Sequence, residues 1–367
     1  MKAISIGRRY EIYDDSLKTY DELPAQTYIV KFSKMSGFYL EEYSEFEIKE
    51  DKIYGIHKEK ADKVLRAFKR FDRSLGVILS GDKGIGKSLF AKLLSIESIK
   101  KGLPVIIVDS FVPGIANYLE EIKQEVVVLF DEFDKTFANI RTGENEADPQ
   151  AGLLSLFDGI SQGKKLFIIT CNEIRKLNDY LINRPGRFHY HFRFEYPCAE
   201  EIKVYLKDKL EEKYHNEIDK VIVFSKKINL NYDCLRAIAF ELNCGEPFKN
   251  AIKDLNIVNT RSERYNITLY FKNGQTFTNK NRYLDLFGTD DSEYMELYGV
   301  NGDMIYVEFN PADCKFDSFK GVNIVKSDDF KITYDDDFQE ASESLKALEP
   351  DYISITKCQD KSIHYTV

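Results

Sequence analysis

Long apolar runs are missing from this 367-residue chain: the longest strongly apolar stretch, residues 126–130, is far short of the roughly 20 residues that a membrane helix needs. The first nine residues lead into no signal-type apolar core, so the reading is a soluble chain working in the cytoplasm, with no membrane partner. Cysteines are few and badly spaced for chemistry. The six, at 171, 198, 234, 244, 314 and 358, contain no C-x-x-C pair, which argues against structural zinc and against a disulfide framework. The five histidines include no H-E-x-x-H, and His189 and His191 merely alternate along a predicted strand. No repeat or low-complexity tract is present either. At 43% hydrophobic and 31% charged the composition excludes wholesale disorder, and the length accommodates two or three domains.

Charge is distributed unevenly. Residues 262–367 carry 20 acidic and 11 basic side chains, so the whole net charge of −9 falls there, and residues 1–261 balance at 41 of each sign. A segment containing Asp290-Asp291, Asp328-Asp329 and Asp335-Asp336-Asp337 repels phosphates, which disfavours a nucleic-acid partner at this end of the chain. A solvated acidic surface kept for solubility is the alternative.

Periodicity divides the chain into four parts. Residues 28–32 and 38–40 flank a Ser36-Gly37 turn and read as a small hairpin in an N-terminal segment, 1–50. Ala61, Val64, Leu65, Phe68 and Phe71 then recur at helical spacing. Near-continuous apolar runs at 77–80, 105–108, 126–130 and 166–169 alternate with helical patterns at 88–101, 115–124 and 151–162. Such runs are the form of parallel strands covered on both faces, so 51–197 is expected to be an α/β domain with a doubly wound parallel sheet. Residues 198–260 read as a small helical domain, with helices near 200–213, 231–242 and 247–255. From 261 to 367 the pattern turns to β, with strands near 267–271 and 304–309 closed or opened by Asn273-Gly274 and Asn301-Gly302.

Gly81-Asp82-Lys83-Gly84-Ile85-Gly86-Lys87-Ser88, followed by Leu89, fits G-x-x-x-x-G-K-[ST] between a predicted strand and a predicted helix. Glycines there let backbone amides wrap phosphates, and the helix start adds its positive end. Lys87 neutralises the β- and γ-phosphates, and Ser88 supplies a hydroxyl to magnesium. Asp131 and Glu132 follow the apolar run 126–130 and emerge at the same end of the sheet. Asp131 is expected to hold magnesium and Glu132 to orient the attacking water, with Asp134 and Lys135 at the surface or at an interface.

From these residues onward the chain resembles the AAA+ ATPase superfamily, and within it the AAA clade with its second region of homology. The run 153–160, the strand 166–171 and Asn172 resemble that region's helix, fourth strand and sensor asparagine. Asn183-Arg184-Pro185-Gly186-Arg187-Phe188 resembles its arginine-finger segment. The resemblance implies ATP and Mg2+ as cofactors, Glu132 and Asn172 as catalytic groups, and Arg184 and Arg187 acting on ATP held by a neighbouring subunit of a homo-oligomeric ring, in the family a hexamer. It implies that 198–260 is the lid, offers Lys249 as a second-sensor candidate, and places Ile53-Tyr54-Gly55 where the family's linker touches adenine. Residues 231–237 and 36–40 are similar to AAA ATPases encoded by tailed bacteriophages, which implies a bacterial host cytoplasm.

Phe111-Val112, directly after the second strand, stands where protein-threading AAA motors carry an aromatic pore loop; a Phe packed on its own sheet is the alternative. The expected function is therefore an ATP-hydrolysing ring machine that remodels or translocates a protein partner, recruited through the acidic C-terminal domain. A helicase loader or replication factor and a nucleotide-gated scaffold are the alternatives.

Overall fold

The computed structural model describes residues 1–48, 52–54, 57–137, 148–158, 163–257, 263–284, 286, 292–300, 302–317, 320, 322–334 and 345–358. They fall into two units, Met1–Pro197 and Cys198–Val367.

In the first unit, β1 (Lys2–Ile6) and β2 (Arg9–Tyr13) pair as a separate antiparallel ribbon. There follow β3 (Thr27–Ser33), β4 (Gly37–Glu42), α1 (His57–Arg70), β5 (Leu75–Ser80), α2 (Lys87–Lys100), β6 (Val105–Val108) and α3 (Ile115–Glu120). The unit is completed by β7 (Val126–Phe130), α4 (Phe133–Thr136), α5 (Leu154–Phe157), β8 (Lys165–Cys171) and β9 (Phe188–Arg193). Seven strands form one sheet in the order β4-β3-β6-β7-β8-β5-β9, parallel throughout except for β4.

Strand alternation explains why the apolar runs are continuous. On β7, Val128 and Phe130 enter a cluster with α3 and α5, whereas Val127 and Leu129 enter a second cluster with α1 and α2. Both faces are covered, so neither parity can be polar. This is the doubly wound sheet expected from the sequence. The 28–40 hairpin, read as part of a separate N-terminal segment, belongs to this sheet: β3 lies parallel to β6, with Ile29 opposite Ile107, and sends Ile29 and Val30 into opposite clusters.

Two helices are shorter than their periodicity suggests. Instead of reaching residue 124, α3 ends at Glu120, where Ile122 N turns back to Leu119 O and the Ile122 carbonyl accepts from the buried Lys165 ammonium. The 151–162 pattern resolves into a 3-10 turn, Ala151–Leu153, and the single turn of α5; Gly159 and Ile160 lie outside the described residues.

The second unit begins with α6 (Ala199–Lys209), α7 (Ile218–Ser225), α8 (Tyr232–Asn243) and α9 (Phe248–Asp254). An antiparallel sheet follows, built from β10 (Glu263–Phe271), β11 (Thr276–Leu284), β12 (Glu293–Gly299), β13 (Met304–Phe309), β14 (Lys315–Asp317), β15 (Val322–Lys326), β16 (Phe330–Tyr334) and β17 (Pro350–Lys357). Its order is β14-β15-β17-β10-β11-β12-β13-β16. Helices and sheet share this unit: Tyr265 Oη donates to the Lys227 carbonyl and Asn323 Nδ2 to that of Lys226. The acidic doublet Asp290-Asp291, the triplet Asp335-Asp336-Asp337, Asn301, and Thr260, Arg261 and Ser262 at the expected boundary lie outside the described residues. No helix among the described residues is long and apolar enough to cross a membrane.

One close approach in the first unit is decided by a missing side chain. A Cβ on Gly76 would stand 2.4 Å from the Arg187 carbonyl oxygen and 2.5 Å from Phe188 Cδ1, so β5 accepts β9 only because residue 76 is glycine. Gly76→Ala is expected to cost about 1 to 3 kcal/mol through overpacking and to lower Tm by several degrees, measured by thermal unfolding.

Candidate active site

The loop between β5 and α2 is shaped by glycines in the left-handed region: Gly81, Gly84 and Gly86 have φ of 139°, 75° and 97°. Space excludes side chains as well. A Cβ on Gly81 would meet Phe194 O at 2.4 Å, and one on Gly86 would meet His57 Nε2 at 2.8 Å. With Gly86 as its N-cap, α2 points the free amides of its first turn into this loop, the arrangement that receives phosphate. Ser88 is exposed in that first turn, while Ile85 is buried and anchors the loop to the apolar cluster beneath.

Lys87 is buried, and its ammonium donates to the carbonyls of Gly81 and Asp82 and to Asn172 Oδ1 at 3.0 Å. Burial pushes its pKa below the ordinary lysine value, opposed by the nearby Cys171, Asp82, Asp134 and Asp131. Asn172 follows β8, so this one cation ties the phosphate loop to the end of a strand 85 positions later in the chain. Burial also pushes the Cys171 thiol up to about 12, which removes it as a nucleophile near neutral pH.

At the end of β7, Asp131 Oδ1 accepts from Thr170 Oγ1 at 2.6 Å, and the same hydroxyl accepts from the Glu132 amide at 2.8 Å. Glu132 has φ 47°, a left-handed turn that carries its half-exposed carboxylate out of the strand line. A hydrogen bond from Lys135 holds that carboxyl below the ordinary glutamate range, reinforced by the charges of Lys135 and Lys83 and by the nearby Asn172 amide. Asp134 corrects the surface reading. It is 2% exposed, its Oδ2 accepts from Glu173 N at 3.1 Å, and its Oδ1 has no hydrogen-bond partner among the described residues. It braces the turn after β7 against the turn after β8.

The oxygen chemistry fits Mg2+. Asp131 and Ser88 offer a carboxylate and a hydroxyl, and no group of three His, Cys, Asp or Glu side chains capable of caging a metal occurs among the described residues. That donor set suits an ion held by one or two protein oxygens together with nucleotide phosphates.

The family described as "ATPase family associated with various cellular activities (AAA)" matches residues 77–196. Residues 77–196 are an AAA-family ATPase domain. Similar curated proteins include a proteasome-associated ATPase of Frankia alni, 29% identical over 34% of this chain and 26% of that protein. An AAA ATPase forming ring-shaped complexes from Corynebacterium kroppenstedtii is 29% identical over 39% of this chain and 30% of its own. The chain thus matches about a third or less of the length of these relatives. Among solved structures, a chain of the E. coli MS115-1 HORMA:CdnC:Trip13 complex superposes with a TM-score of 0.42 at 14% identity, covering 56% of this chain and 89% of that one.

The AAA domain sets its two motif arginines differently. Arg187, 12% exposed at its side chain, pairs with Asp158 through Nε and Nη2 and donates from Nη1 to the Tyr180 carbonyl at 2.7 Å. Arg184 is exposed, with its guanidinium 5.9 Å from the centre of the Tyr180 ring. Phe111, the pore-loop candidate, is turned inward: it is half-buried, edge-on to Phe137 at 5.9 Å, and beside Gly152. Phe137 is fully buried, and Phe111 supplies part of its cover. Lys249 is exposed on α9 of the second unit, and Gly55 lies outside the described residues. Thr170, Asp134, Asp158 and Tyr180 were not anticipated as contributors. Only Asp134, two residues past the carboxylate pair, carried any sequence signal.

Two outcomes follow from these contacts. Lys87→Ala should lose nucleotide affinity and Glu132→Gln should bind but fail to turn over, read by nucleotide titration beside phosphate release, because one change removes phosphate charge and the other the water-orienting carboxylate. Lys135→Met should move the acid limb of the kcat profile upward, towards the ordinary glutamate value of about 4.3, since the Lys135 bond that stabilises ionised Glu132 is gone.

Proposed function

We propose that the chain binds Mg2+-ATP between the phosphate loop and the β7 turn, hydrolyses it, and uses the cycle to act on a protein partner as a ring of identical subunits, six by family resemblance. The hydrogen bond from Lys87 to Asn172, with Glu132 at the end of the next strand, carries the catalytic part of this reading, because it gathers a cation for phosphate, a polar group and a carboxylate at the ends of adjacent strands. In the proposed cycle Lys87 and the α2 amides hold the phosphates, Asp131 and Ser88 hold Mg2+, and Asn172 and Glu132 orient water for in-line attack. Bound Mg2+ supplies charge neutralisation at the phosphates. The rest of the work is positioning.

The arginines support division into subunits. Arg187 has its hydrogen bonds inside its own domain, which supports a bracing role, whereas the exposure of Arg184 beside Tyr180 supports assigning it to ATP in a neighbour. The ring and the protein partner rest on relatives named for ring-shaped complexes and for the proteasome. Threading by Phe111 is not part of this reading, since its side chain covers Phe137.

Arg184→Ala should cut kcat by about 10³-fold or more with ATP binding and Tm unchanged, whereas Arg187→Ala should also lower Tm by a few degrees as the Asp158 and Tyr180 bonds are lost. Co-assembly with Lys87→Ala subunits that keep Arg184 should restore turnover to Arg184→Ala subunits. Absence of rescue in rings verified to be mixed would remove the trans assignment.

A further inference from the structure

The second-to-last residue of β8 is a threonine where the fold asks only for a β-branched side chain. Thr170 is 2% exposed, and the strand's alternation puts it on the same face as Leu166 and Ile168, which pack in the cluster beneath α1 and α2. A valine would fill the same volume. The hydroxyl is accounted for instead by its two bonds, one to each member of the carboxylate pair.

A hydroxyl has one proton to give, and here it goes to Asp131 Oδ1. That oxygen is committed to the protein, and Oδ2 is the oxygen that would serve a bound magnesium ion. The hydroxyl's lone pair takes the Glu132 amide, which belongs to a residue at φ 47° and ψ 45°, a conformation that a non-glycine residue holds only when its surroundings impose it. One buried side chain thus fixes the rotation of the metal-facing carboxylate and the turn that aims the base.

We propose that Thr170 is a positioning residue for Mg2+-ATP: through Asp131 it sets the magnesium-dependent part of nucleotide affinity, and through Glu132 it sets turnover. This rests on the reading of Asp131 and Glu132 given above, and it concerns neither the phosphate loop nor the arginines.

The test uses the full-length protein, a fluorescent ATP analogue, and titrations in Mg2+ and in EDTA. Thr170→Val should reduce the gain in affinity that Mg2+ confers by about 10-fold or more, as loss of an outer partner of a metal ligand does, while affinity in EDTA stays within about twofold. The kcat should fall in parallel. Thr170→Ser, which keeps the hydroxyl, should restore both to within about threefold. In an Asp131→Asn background, adding Thr170→Val should change the Mg2+ gain much less than it does alone.

Wild-type Mg2+ dependence in Thr170→Val overturns the proposal, as does a Thr170→Ser protein as impaired as the valine variant. Should the valine variant fail to fold, Thr170→Ala removes the same two bonds and is read in the same way. Asp131→Asn alone separates the two levels: if it keeps the full Mg2+ gain, the assignment of Asp131 fails, whereas a loss there beside a wild-type Thr170→Val removes only the role of Thr170.

Discussion

A single buried ammonium organises this active site. Lys87 has left water and must find its hydrogen bonds in protein; it takes two from the phosphate loop and one from Asn172. An ammonium that is desolvated without partners costs several kcal/mol, on the order of the whole stability of a domain, so the loop and the end of β8 are constrained to meet there. Strand order makes the meeting possible. With β8 lying between β7 and β5, Asn172 follows the strand that separates the carboxylates from the loop after β5.

The same adjacency lets β8 control its other neighbour. Thr170 bonds Asp131 and the Glu132 amide, and the amide of Glu173 is held by Asp134. Thr170 and Glu173, at and just past one strand end, therefore fix the turn after β7. Movement of β8 relative to β7 would disturb Asp131 and Glu132 together. On the other edge of β5, Gly76 lets β9 approach closely enough to seat Arg187, so the arginine loop is attached to the same frame by backbone contact rather than by side chains.

What could be read from the sequence follows from how local each constraint is. The phosphate loop is legible because its glycines, lysine and serine sit within eight consecutive positions and each answers to a backbone requirement. The carboxylate pair is legible because an apolar strand delivers it, and the sheet because strands covered on both faces tolerate no polar parity. Thr170 was not legible: inside an apolar run it looks like one more β-branched residue, and its partners are 38 and 39 positions away. The two motif arginines show the opposite case. The motif presents two arginines as equivalent, and only the position of Asp158, 29 residues earlier, separates the one that braces from the one that is exposed. Phe111 left two readings open for a related reason, since its partner Phe137 lies outside its own segment.

The costs in this domain are concentrated where the chemistry is. Glu132 in a left-handed turn, Asp134 with one buried oxygen lacking a hydrogen-bond partner among the described residues, and a desolvated Lys87 each oppose folding, the first two by about 1 to 3 kcal/mol apiece. All three stand at one end of a sheet whose β5, β7 and β8 are buried along their whole length. A frame of that kind can hold strained turns in a single geometry, because relaxing any one of them would require a fully packed strand to slide. The strain is also asymmetric in its effect on ligand. On the proposed reading, phosphate would bring acceptors to Lys87 and a bound metal positive charge to Asp131, so binding would relieve electrostatic costs that the protein alone must carry. Hydrolysis and release of γ-phosphate would return part of them. In that physical sense the site is coupled to its nucleotide: the polar groups that destabilise the domain are the ones whose environment the reaction changes.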